Sequence, residues 1–273
     1  MNNQKILELS NGLFGQVSVG ETSDFTSSTR WMKIKNEIEG QVFSFPDANF
    51  FSSLSSGPGA VAASRYLYAF VIAAWQFSNK HGLVLGLGAG AGVTMLLTLF
   101  PDLSLTVVEI DSQVIRLARH YFPLISFYET QGRLQIIESD AAIYLDQCDD
   151  SFAFTLLDLF SGDEKSYNNL LLISKVLKIS LFFMANIITS KTELSMIERS
   201  LNLNINIRLM WLLAAPSIPS EKANWIMTNI NEISPAIQQY QLFDNLMTME
   251  NVITANRYFR YILSQVDAAC FYR

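Results

Sequence analysis

The run LVLGLGAGAGVTMLLTLF, Leu83 to Phe100, decides the fold. It opens as an apolar strand, is interrupted at Gly86, Gly88, Gly90 and Gly92, and resumes as a segment with the make-up of a buried helix. Its 18 uncharged residues also have the length of a membrane span. Four glycines in the first ten residues, with Pro101-Asp102 directly behind, favour a strand, a turn and a helix instead. A turn without β-carbons lets the backbone approach a cofactor and present its amides, although glycines there also serve tight helix–strand packing. Glu109 adds the missing context: it is the last polar position of LTVVEI, 21 residues beyond Gly88, where an acid accepts both hydrogen bonds of a ribose diol.

Downstream of this turn, apolar runs alternate with helical periodicity: LTVVEI, SQVIRLARHYF, RLQIIES, AAIYLDQC and FAFTLLDLF. Strand, helix, strand, helix in succession implies right-handed crossovers and a parallel sheet, and near-continuous apolar strands suit a sheet covered on both faces. A helix around Asn168 to Lys178 then precedes the strand-like LFFMANII. Lys191 to Ser200 reads as helical, and IRLMWLLA with ANWIMTNI as a closing antiparallel pair, giving about seven strands. The tail from Pro235 to Ile262 reads as helical.

Upstream the texture differs. Short β-prone runs (Leu13 to Val19, Trp31 to Ile34, Gln41 to Phe45) alternate with Gly, Ser, Thr and Asn clusters, the mark of small antiparallel hairpins. SSLSSGPG, Ser52 to Gly59, reads as a linker, and Tyr66 to Phe77 as a helix. These features divide the chain into a β-hairpin domain, 1–57, and a larger α/β domain, 58–273.

Composition narrows the function. Half of the residues are hydrophobic and 16% are charged, too apolar for a disordered chain. A net charge of −6 argues against a nucleic-acid partner and permits a small cationic one. Cys148 and Cys270 are the only cysteines and have no ligand spacing, so neither a disulfide framework nor a metal is expected. The start MNNQKILELS lacks the features of a signal peptide, and the expected place is the cytoplasm, away from membranes.

Two further acids end apolar runs. Asp140 follows the third strand in Ser139-Asp140-Ala141, and Asp158 follows the fourth in LLDLFSGD. The carboxyl ends of parallel strands are where an open α/β sheet presents its ligand crevice. Asp140 reads equally as an acceptor for an adenine amino group and as a helix N-cap. GLGAGA also satisfies the dinucleotide pattern, so the glycines alone leave two cofactor classes open.

Taken in series, GLGAGAG, VVEID, RHYFP, GRLQIIESDAAIYL and LLDLF, with MANI beyond, resemble the spermidine synthase family of aminopropyltransferases and its divergent spermidine-synthase-like members. GQVSVGE and IEGQ upstream resemble weakened forms of that family's N-terminal hairpin segments. The resemblance implies a Rossmann-like, S-adenosylmethionine-dependent methyltransferase fold behind a small N-terminal β-hairpin domain. It also implies transfer of an aminopropyl group from decarboxylated S-adenosylmethionine to a small amine such as putrescine, and a homodimer. By the same resemblance Gly86, Gly88 and Gly90 line the cofactor with Gln16, Glu109 binds its ribose, and Asp140 with Ala141 meets its adenine. Asp158 takes the position of the catalytic acid. Asp163 is a candidate for a second acid and Tyr66 for the substrate entrance, although an exposed helix face accounts for Tyr66 as well. Ala89 stands where the family's turn carries an acid, and so two alternatives remain: an S-adenosylmethionine-dependent methyltransferase, and a catalytically weakened cofactor-binding relative.

Overall fold

A computed structural model describes residues 3–23, 28–35, 37–44, 61–62, 67, 70, 74, 77, 79–159, 167–190, 208–211 and 222–229. Two sheets organise them. The first is a five-stranded antiparallel meander of β1 (Asn3–Gly12), β2 (Gly15–Ser23), β3 (Ser28–Ile34), β4 (Glu37–Ser44) and β5 (Val61–Ala62). The second has seven strands: β6 (His81–Leu85), β7 (Ser104–Glu109), β8 (Leu134–Glu138), β9 (Phe152–Leu157), β10 (Ser180–Ser190), β11 (Arg208–Trp211) and β12 (Lys222–Thr228). Their spatial order is β11-β12-β10-β9-β6-β7-β8.

The five strands from β10 to β8 run parallel, and β12 inserts antiparallel between β10 and β11. This is the expected Rossmann-like architecture, with its closing antiparallel pair at the predicted segments. Five helices follow: α1 (Ala91–Leu99), α2 (Ser112–Tyr121), α3 (Leu124–Thr130), α4 (Ala141–Gln147) and α5 (Tyr167–Ile179). Leu67, Phe70 and Ala74 are helical and buried, within the helix predicted over Tyr66 to Phe77. The predicted helices at 191–200 and 235–262 lie outside the described residues.

The apolar runs are continuous because both faces of the sheet are covered. Val84, Leu105, Val107, Phe154 and Leu156 pack with α1, α2 and α3, while Leu83, Leu85, Val108, Leu157 and Phe183 pack with α4 and α5. Adjacent residues of one strand therefore enter different cores, as the period of two requires. Helix α2 turns Val114, Ile115, Leu117 and Ala118 inward, and Arg119 and His120 sit in its last turn, where the helix dipole favours cations.

The meander differs from its sequence reading in two places. Leu13 and Phe14 form the β1–β2 turn, and β2 begins at Gly15, inside the predicted run and not at its start, Leu13. Strand β1 is absent from the β-prone runs because its pattern is misleading: Ile6 and Leu9 are exposed, and a register shift between Ile6 and Glu8 breaks the alternation. The fifth strand joins the meander from beyond residue 57 by pairing with Val42 and Phe43. Glu8 binds both Arg116 (2.5 Å) and the Tyr121 hydroxyl (2.9 Å), so β1 lies against α2.

Candidate functional site

Strand β6 is flanked by β7 on one side and β9 on the other, which makes its carboxyl end the point where the winding of the sheet reverses and a crevice opens. The glycine turn occupies this point. Gly86 has a φ of +99°, and a β-carbon there would lie 2.3 Å from the Asp158 carbonyl oxygen. Gly90 has a φ of +73°, and its β-carbon would lie 2.3 Å from Ile125 Cδ1. Close packing accounts for both residues. The Gly86 and Gly90 amides are also committed, to Val108 O (2.9 Å) and Leu87 O (2.8 Å). Gly88 has a φ of +52° between them.

Glu109 ends β7 and braces the turn. Its Oε2 accepts the Leu87 N–H at 2.9 Å and its Oε1 the Asp111 N–H at 3.0 Å. Burial pushes the Glu109 carboxyl above the usual carboxylate range, while the N–H groups of Asp111, Leu87, Gly88 and Ile110 pull it down by favouring the anion.

Asp140 follows β8 and caps α4: its Oδ1 accepts from Ala142 N (2.7 Å) and Ile143 N (3.1 Å). The N-cap reading is thus realised, and Ala141, the first helical residue, is buried against the α5 side of the sheet. Asp158 follows β9. Its N–H donates to Leu85 O at 2.8 Å, and its Oδ1 accepts from Asn186 Nδ2 at 3.0 Å. The three acids therefore end three strands around one turn, Glu109 and Asp140 on the β7–β8 side and Asp158 on the β9 side.

Gln16 is exposed at the head of β2, and its backbone carbonyl accepts the Lys35 N–H at 2.8 Å. It pairs with Asn11, one step back from the hairpin turn. That turn touches the site's own framework, since Leu13 N–H donates to Asp111 Oδ2. Tyr66 and Asp163, with Ser161, lie outside the described residues. Among the described residues no group of three or more His, Cys, Asp and Glu side chains is placed to hold a metal ion.

Two residues of this arrangement were not singled out from the sequence. Asp111 lies inside VVEID and Asn186 inside MANI, both quoted only as segments. The available signal was polarity out of place: Asn186 is an amide in an apolar run, at the height where the neighbouring strand ends in an acid.

Comparisons with known proteins fit this geometry. Residues 65–208, more than half of the chain, match the model of the spermine/spermidine synthase domain. The chain is 30% identical over 84 residues to a polyamine aminopropyltransferase of Vibrio vulnificus, covering 30% of this chain and 27% of that one. It is 33% identical over 99 residues to the polyamine aminopropyltransferase of Chromobacterium violaceum, covering 36% of each. These alignments span about a third of the relatives' lengths. A probable spermidine synthase from Corynebacterium glutamicum superimposes with a TM-score of 0.64 at 15% identity, over 88% of this chain and 86% of that one. A spermidine synthase in complex with the transition-state analogue AdoDATO superimposes with a TM-score of 0.52 at 14% identity, over 98% and 85%. The superpositions agree on the fold, the domain match covers the glycine turn and all three strand-end acids, and the chain belongs to the spermine/spermidine synthase family.

Proposed function

We propose that the chain is an aminopropyltransferase that moves the aminopropyl group of decarboxylated S-adenosylmethionine to a small cationic amine such as putrescine. Membership of the family supports the reaction class, and one observation carries the assignment to this site. Across the glycine turn, a ribose-type acid and a separately held acid stand on opposite sides of β6. By ordinary strand spacing, the ends of β7 and β9 are about 10 Å apart, room for a nucleoside on one side and a reacting tail on the other.

The residues present fit an adenosyl ligand. Glu109 is held on both oxygens by backbone N–H groups at the end of β7, the strand end where an acid meets a ribose diol. Asp140 and Ala141 at the next strand end would flank the adenine, with Gln16 reaching from the hairpin and Gly88 in the turn. Bound there, the sulfonium donor supplies an activated carbon: a nitrogen–carbon bond forms, the carbon–sulfur bond breaks, and sulfur keeps the electron pair.

Asp158 deals with the acceptor. An aliphatic amine with a pKa near ~10 is mostly ammonium at neutral pH and must lose a proton before its nitrogen can attack. A carboxylate at the end of β9 attracts the cation, aligns it and takes the proton. Asp163 and Tyr66 belong to the same proposal as the second acid and an entrance residue. So do the division into 1–57 and 58–273, the homodimer and the cytoplasmic location.

Methyl transfer from S-adenosylmethionine is the second reading, and Ala89 favours it. That side chain is neutral, 1% exposed and packed in the core, so it sets no negative charge against the carboxylate that S-adenosylmethionine carries and its decarboxylated form lacks. Calorimetry with S-adenosylmethionine, its decarboxylated form, methylthioadenosine and NAD separates the readings. Aminopropyl transfer requires preference for the decarboxylated donor; preference for the carboxylated donor would establish methyl transfer, and tight NAD binding would overturn both.

A further inference from the structure

We infer that Asn186 is a positioning residue: its side-chain amide fixes the orientation of the Asp158 carboxylate and holds it in the charged form. The inference rests on the proposed role of Asp158. It begins with strand register. Along β9 and β10, Phe154 stands opposite Phe182, Leu156 opposite Met184 and Leu157 opposite Ala185. One further step brings residue 158 opposite residue 186, and Asn186 Nδ2 donates to Asp158 Oδ1 at 3.0 Å.

Asn186 is 0% exposed and lies inside β10, with Ile226 of β12 as its partner on the other side. An amide in an apolar strand carries a desolvation cost that only hydrogen bonding offsets, so a wholly structural position there would be better filled by an aliphatic side chain. The backbone of Asp158 needs no such help. Its N–H bonds to Leu85 O, and its carbonyl fills the space that Gly86 leaves by lacking a β-carbon. What remains to be set is the carboxylate itself, and that is where the amide bonds.

A donor to a carboxylate favours its anion, which is the form that accepts a proton. The ionisable groups that end the neighbouring described strands are acids. Glu109 ends β7 and Asp140 ends β8, both acids; the turn after β6 and the whole of β10 bring none. The Asn186 amide sets a neutral dipole against the Asp158 carboxylate, on the side of its anion.

The test is the pH dependence of kcat/KM with decarboxylated S-adenosylmethionine and putrescine, for wild type, Asn186→Leu and Asn186→Gln. The leucine variant keeps volume and removes the donor; its acid limb is expected to rise by about one pH unit, while affinity for methylthioadenosine stays within about twofold. Glutamine, which restores a donor, should return the limb toward wild type. If the leucine variant does not fold, Asn186→Asp keeps the shape and sets two carboxylates at bonding distance, and its limb should rise further. A limb that stays at the wild-type pH in a folded variant, with activity scaled down equally at all pH values, overturns the inference and leaves the role of Asp158 standing. A wild-type protein that transfers nothing overturns both.

Discussion

The Leu13 N–H donates to Asp111 Oδ2 across 2.6 Å, so a carboxylate that is 2% exposed ties the β1–β2 turn to the start of α2. The same carboxylate caps the helix, its Oδ1 accepting from Gln113 N at 2.8 Å. One residue on from Ile110, it also sends its own N–H to Glu109. Hairpin and helix thus share one buried carboxylate, and Glu109 is bonded by the backbone of the same residue. Asp111→Ala strands two amides and is expected to cost about 2–4 kcal/mol, the sum of a lost N-cap and an unsatisfied buried donor. Urea unfolding measures it, and a loss below about 1 kcal/mol would show that the turn finds another acceptor.

Gly86→Ala should destabilise the protein far more than Gly132→Ala. Both glycines have positive φ, +99° and +70°, so both substitutions carry the backbone cost of roughly 1–2 kcal/mol. At Gly132 a β-carbon meets nothing within 4 Å, whereas at Gly86 it lies 2.3 Å from a backbone oxygen that cannot swing aside. Displacing the end of β9 adds about 1–3 kcal/mol. Equal melting temperatures for the two variants would refute the close approach of Gly86 to Asp158.

The contrast between the two sheets explains what was legible in the sequence. β6 and β9 read clearly because Leu83 and Val84 on one strand, and Leu156 and Leu157 on the other, are buried on opposite faces, and burial on both faces leaves an unbroken apolar run. β1 did not read, since Ile6 and Leu9 face outward and its bond to α2 runs through Glu8, a residue whose partner lies 108 positions away. The same distinction holds within the site. Glu109 and Asp158 were visible as acids closing apolar runs, a local signal. Asn186 was not, because its role depends on the register of β10 against β9, which no local pattern encodes. The glycines were read as a cofactor cradle, yet Gly86 and Gly90 are accounted for by packing against Asp158 and Ile125, contacts that only the fold creates.

The proposed ribose role of Glu109 predicts a cofactor affinity that depends on pH. Burial raises its pKa above the ordinary 4.5, so in the empty protein the anion is disfavoured, and its cost to stability grows as pH rises from 4.5 through the raised value. Ribose hydroxyls donate to the anion and so oppose that shift. Affinity for methylthioadenosine should therefore be full at neutral pH and fall as pH drops through the raised value. Glu109→Ala should lose about 1.5–3 kcal/mol of binding at pH 7 and abolish this dependence. Calorimetry across the range checks both, and a variant with wild-type affinity would remove Glu109 from the ribose site.

Asp158→Asn separates chemistry from binding. The substitution keeps the shape of the side chain and an oxygen able to accept from Asn186, while the backbone bond to Leu85 is untouched, so the end of β9 has no reason to move. What disappears is the basic group. A misplaced or missing general base typically costs 10²–10⁴ in rate, and kcat should fall on that scale at every pH. On the proposed reading methylthioadenosine would bind on the far side of the turn, through Glu109, and its affinity should change by less than about twofold. Turnover near the wild-type level would exclude Asp158 as the proton acceptor. Undetectable turnover in both proteins, with intact nucleoside binding, would mark a member of the family that holds its ligand without transferring from it.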